Sequence, residues 1–227
     1  MDTGTLLIIA IAPAIFWLWY FYQKDRYEPE PLAWIATIYF LGAFVTIPVA
    51  FIEGTIGLFT GDFLIAILVA PVVEEYAKFS IVKRTVYRSA EFDEPVDGIV
   101  YAAAAGLGFA TLENIIYIFS SYETSMVFAL QTGVIRALLS VPGHALFSGM
   151  WGYALGQAKF MPRSRRGRVI AGGLILAIVM HAVFNILLFD DIGVAVLVLL
   201  ITPFMWWLIH RRIRTSLSQS VYNDDEK

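Results

Sequence analysis

The chain has 227 residues, of which 59% are hydrophobic and only 15% charged, with a mean hydropathy of +0.70. Soluble domains average about 25% charged residues, so that class is excluded, and a formal net charge of −3 gives no reason to expect a nucleic-acid partner. The absence of cysteine excludes disulfides, iron–sulfur clusters and thiolate zinc sites.

A span needs about 20 apolar residues, and helix is the only open-chain backbone that satisfies its own polar groups in lipid. Seven apolar runs meet that need, at 5–22, 32–52, 61–82, 97–119, 127–157, 169–189 and 192–210. The predicted fold is therefore all-α, a single polytopic transmembrane helical bundle over residues 1–215. The first run has Asp2 ahead of it and Lys24 and Arg26 behind it, the reverse of a cleaved signal peptide, so it reads as a retained helix. The fifth is too long for one straight span and contains Pro142-Gly143; it reads either as a kinked helix or as a short interfacial piece followed by a helix. An eighth, re-entrant segment stays open. The polar tail, 216–227, reads as disordered.

Basic residues follow the first, third, fifth and seventh runs: Lys24 and Arg26, then Lys83, Arg84 and Arg88, then Lys159 to Arg168, then Arg211, Arg212 and Arg214. The alternate connections, near 53–61, 120–126 and 190–191, carry only Glu53, Glu123, Asp190 and Asp191 as charges. Cytoplasmic loops concentrate Lys and Arg, which predicts the N-terminus outside and the C-terminus in the cytoplasm.

Ionisable groups inside spans are costly, at about 2.5–3.5 kcal/mol each on insertion scales, and are functional by default. Here they fall on four consecutive runs: Glu74, Glu75 and Lys78 on the third, Glu113 on the fourth, Arg136 and His144 on the fifth, and His181 with Asn185 on the sixth. Such a distribution predicts one shared polar cavity. Glu74 and Lys78 are four apart and can pair; His181 and Asn185, also four apart, present an imidazole and an amide to one point, as an oxyanion needs. At about 1.5 Å per residue, Glu74, His181 and Glu113 lie roughly 20, 12 and 9 Å below the outer ends of their helices. The cavity is thus expected to open more easily outward. Neither GxSxG nor HExxH is present. What remains is carboxylates and histidines around a buried site, suited to a carboxylate that activates water against a peptide carbonyl.

The stretches EEYAK (from Glu74), FDEPVDGIVYAA (from Phe92), LGFATLENIIY (from Leu107), RALLSVPGHAL (from Arg136) and HAVFN (from His181) resemble the PrsW family, bacterial site-1 intramembrane proteases that cut membrane-anchored anti-sigma factors. A more distant likeness is to the CAAX prenyl endopeptidases and Abi proteins. The resemblance implies a multi-pass bacterial membrane protease acting on a single-pass substrate, such as an anti-sigma factor. It implies that Glu74 or Glu75 is the base and that His181 and Asn185 bind the oxyanion. The middle motif departs from the prenyl-endopeptidase pattern: Glu113 follows Phe109 where that group has histidine, and the extra histidine, His144, lies on the next helix. Two mechanisms stay open. One needs no cofactor; the other uses zinc held by Glu113, His144 and His181. For Glu113, packing weighs as much as catalysis. Lys78 reads as structural, and Arg136 as a counter-charge or a snorkelling side chain. A proton-coupled transporter is the rival class, and it would show inverted repeats, of which the sequence has none.

Overall fold

The computed structural model describes residues 3–223, and among them every regular element is helical. Seven continuous helices follow one another: α1 (Thr3–Tyr22), α2 (Leu32–Thr60), α3 (62–84), α4 (Asp97–Thr124), α5 (Met126–Lys159), α6 (Arg163–Leu187) and α7 (Asp191–Leu217). Six are long and apolar enough to cross a membrane. The exception is α3, long enough but charged in its middle by Glu74, Glu75 and Lys78. This is the architecture of a multi-pass membrane protein.

The bundle is organised around α4. Residues 97–111 of α4 are buried without a break, and the helix packs against α1, α2, α3 and α5. Its AAAAGLG stretch explains how four neighbours fit, because small side chains let backbones approach closely. A methyl group added at Gly106 would lie 2.7 Å from the carbonyl oxygen of His144 on α5 and 2.9 Å from Ser148 Oγ. The same closeness holds α2 to α4, where Gly108 has no room for a Cβ against Tyr39, nor Gly42 against Ala105.

Three helices contain a widened π turn, at 65–69 in α3, 136–140 in α5 and 197–201 in α7. Each is followed two residues later by proline: Pro71, Pro142 and Pro203. Proline has no N–H to give the preceding turn, and the helix widens there rather than breaking. The long fifth run is therefore one helix with an internal irregularity, not two pieces.

Two sequence expectations are corrected. The connection expected at 53–61 is helical, since α2 continues to Thr60 and turns at Gly61, which has a positive φ of 80°. FIEGTIGLFT is apolar enough to carry the helix on, and Glu53 becomes an intrahelical residue. The tail expected to be disordered from Ser216 begins as the end of α7; Ser216 is buried, Gln157 donates to Gln219, and the Tyr222 hydroxyl donates to Asp93 at 2.8 Å. Residues 224–227 lie outside the described part.

Candidate active site

The intramembrane charges converge, and Lys78 sits at their centre. An ammonium has three N–H bonds and no lone pair. Its three partners are Glu74 Oε2 at 3.1 Å, Glu75 Oε1 at 2.8 Å and His144 Nδ1 at 3.0 Å. His144 Nδ1 must therefore accept, which leaves Nε2–H to donate to Glu113 Oε2 at 2.8 Å. Arg136 grips the same carboxylate through Nη2 at 2.6 Å, and its Nε donates to Asn114 Oδ1 at 2.5 Å. Arg136 is thus a counter-charge. Asn114 in turn donates to the Ala10 carbonyl, tying the network to α1.

The two adjacent glutamates face different surroundings, as a rotation of about 100° per residue requires. Glu75 is sealed: Oε1 accepts from Lys78 and from His181 Nδ1 at 3.2 Å, and Oε2 from Trp151 Nε1 at 3.0 Å and Ser148 Oγ at 3.3 Å. Glu74 instead lines a cavity of about 500 Å³ together with Glu113, His144, His181 and Asn185. Five of the six residues singled out from the sequence share this hollow, and Glu75 stands directly behind it. His181 stacks on Phe147 at 4.6 Å between ring centroids, with its Nδ1–H fixed on Glu75.

Asn185 shows what the π turn before Pro71 does. The Ala70 N–H reaches back to Ile65, and Pro71 has none to offer, so the Ala66 carbonyl loses its helical donor. Asn185 Nδ2 supplies one, at 2.7 Å. That bond fastens α6 to α3 across the cavity, and the amide keeps a second N–H.

Sequence reasoning missed Glu53, Asp62 and Tyr117, which also line the cavity. Glu53 reads in the sequence as the charge of a connection that follows the apolar run 32–52; the signal against that reading is the apolar run continuing through Phe59. The hollow continues as a slit of about 460 Å³ between α2 and α4, with Glu53, Glu74 and Glu113 on its walls and Val49, Leu58 and Ile116 along it.

The donor chemistry can be tested against a metal. Glu113, His144 and His181 do not form a ligand set, because both ring nitrogens of His144 are engaged. The group whose ligand atoms do fall within 4.8 Å of one another is Glu74, Glu75 and His181. Oxygen and nitrogen donors of this kind suit zinc. Yet Lys78 already holds both carboxylates, all of Glu75's oxygens are taken by four donors, and His181 Nδ1 carries the proton it gives to Glu75. A divalent ion there would need to expel the ammonium. As arranged, these residues do not fit a metal ion.

Residues 30–209 match the family described as PrsW family intramembrane metalloprotease. The chain is 37% identical to Protease PrsW of Geobacillus kaustophilus, covering 92% of this chain and 91% of that protein. It is 33% identical to Protease PrsW of Bacillus subtilis, over 94% and 96% of the two chains, and 31% identical to that of Clostridioides difficile, over 90% and 88%. No solved structure matches the chain. An all-helical membrane bundle with a polar cavity among its central helices, matched over nearly its whole length by proteases, leads to one assignment: the chain belongs to the PrsW family of intramembrane proteases.

Proposed function

We propose that the cavity hydrolyses a peptide bond of a single-pass membrane protein, such as an anti-sigma factor, by a metal-free mechanism with Glu74 as general base. The observation that carries this is the division of labour between the paired glutamates. Glu74 meets the cavity, whereas Glu75 is buried among four donors. Charge is consistent with it: Glu74, Glu75 and Glu113 bring three negative charges against Lys78, Arg136 and a protonated His181, a balanced cluster in which Glu74 can take a proton from water.

Glu74 then removes that proton as oxygen attacks the scissile carbonyl. The free N–H of Asn185 and a protonated His181, its charge balanced by Glu75 at Nδ1, hold the oxyanion. Glu74 returns the proton to the leaving amine. Lys78 and His144 keep Glu74 and Glu113 in place. The slit between α2 and α4 gives an extended peptide a lateral way in from lipid. Asp62, Leu188 and Phe189 line the cavity and lie by the acidic connections; with basic connections in the cytoplasm, that end of the cavity faces the outside.

The test is cleavage of a single-pass substrate in liposomes. Glu74→Gln and His181→Ala lose cleavage while keeping helical content, and chelators leave the wild-type rate unchanged. Full cleavage by both variants would overturn the site; loss on chelation with recovery on added zinc would overturn the metal-free mechanism.

A further inference from the structure

A second acidic group lies at the opposite end of the bundle from the cavity. Asp25 and Glu30 come from the connection between α1 and α2, Glu94 from the one between α3 and α4, and Asp97 is the first residue of α4. All four are buried, with relative exposures of 3%, 3%, 0% and 1%. One oxygen each of Asp25, Glu30 and Asp97 lies within 4.8 Å of the others.

The oxygens divide into two sets. Glu30 Oε2 accepts from the Tyr101 hydroxyl, and Asp97 Oδ2 accepts from the Glu94 N–H at 2.7 Å. These bonds fix how the carboxylates are turned. The remaining oxygens, Glu30 Oε1, Asp97 Oδ1 and both of Asp25, are buried with no hydrogen-bond partner, as are both of Glu94. Among the described residues no lysine or arginine pairs with any of the four. Lys159 is the nearby cation, and it is directed at the carbonyls of Tyr87 and Ser89.

The partial positive charge at the start of α4 amounts to about half a unit, too little for this many carboxylates. The group therefore takes up either protons or a cation. A shared proton joins one pair of these oxygens, whereas a cation placed among Asp25, Glu30 and Asp97 takes a lone pair from all three at once.

We infer that Asp25, Glu30 and Asp97 form a binding site for a hard divalent cation, magnesium or calcium, which ties the α1–α2 and α3–α4 connections to the first turn of α4. Oxygen-only donors select such ions over zinc or copper. The bonds from Tyr101 and the Glu94 N–H orient the ligands in the way that surrounding groups do in metal sites.

The test uses the full-length protein in nanodiscs after removal of divalent ions. Manganese, a spectroscopic stand-in, is titrated by electron paramagnetic resonance, and thermal unfolding is followed with added MgCl₂ or CaCl₂. One manganese binds per chain. Whichever of magnesium and calcium displaces it at lower concentration is the preferred ion, and that ion raises the unfolding midpoint, whereas NaCl at matched ionic strength does not. The Asp25→Asn plus Asp97→Asn variant loses binding. Tyr101→Phe, which removes only one hydroxyl, weakens it about tenfold and covers the case in which the double variant does not fold. Glu74→Gln binds as wild type, which separates this site from the catalytic cluster. No manganese binding by the wild type, or undiminished binding by Tyr101→Phe or the double variant, would overturn the inference.

Discussion

Glu74 and Glu75 are neighbours in sequence and opposites in surroundings, and their substitutions should differ in kind. Glu75→Ala strips four donors of their acceptor and leaves Lys78 with one carboxylate fewer. Breaking a buried pair of this sort costs about 3–5 kcal/mol, so the unfolding midpoint should fall sharply and take activity with it. Glu74→Gln keeps the size and a hydrogen-bonding group; it should lower cleavage by about a hundred- to ten-thousand-fold with the midpoint nearly unchanged. Comparable midpoints for the two variants would contradict the assignment of Glu75 as the buried partner. The sequence carried much of this level. Intramembrane charge alone marked Glu74, Glu113, His144 and His181. It could not say which glutamate faces the cavity, because that depends on where Trp151 and Ser148 of a distant helix arrive.

At the scale of helices, the π turns are the feature that periodicity could not reveal. Pro13 and Pro48 lie inside regular α-helix, whereas Pro71, Pro142 and Pro203 each follow a widened turn, so proline marks a candidate position without deciding it. Pro71→Ala should restore an N–H to the turn, which then competes with Asn185 for the Ala66 carbonyl. Cleavage should drop about tenfold while the unfolding midpoint holds or rises. An unchanged rate in liposomes would mean that the Asn185 bond does not position the site. The α4–α5 contact is less forgiving. Gly106→Val places methyl groups against the backbone oxygen of His144, and overpacking of this type costs about 1–3 kcal/mol. A lowered midpoint together with reduced cleavage is expected, since His144 moves with its backbone. The small-residue stretch of α4 made close packing legible in advance, though not which helix it would meet.

For the molecule as a whole, the apolar runs gave the helix count and order, and they failed where an apolar run did not end at the membrane edge. α2 is the case. Its 29 residues make a rod of about 44 Å at 1.5 Å per residue, against a hydrocarbon layer of about 30 Å. Its first half is pinned to α4 through Tyr39 and Gly42, whereas its far end meets the start of α3 near Ile65 and carries Leu58 and Phe59 more than four-fifths exposed. A helix too long for its bilayer tilts. Shorter lipids should swing the unpinned half of α2 away from α4, and longer ones should let it stand upright. Cleavage in vesicles of fourteen-carbon lipids should therefore outpace that in twenty-two-carbon lipids by severalfold; equal rates would sink the idea. Membrane thickness would then act on this protease much as a throttle does, without any ligand touching the chemistry.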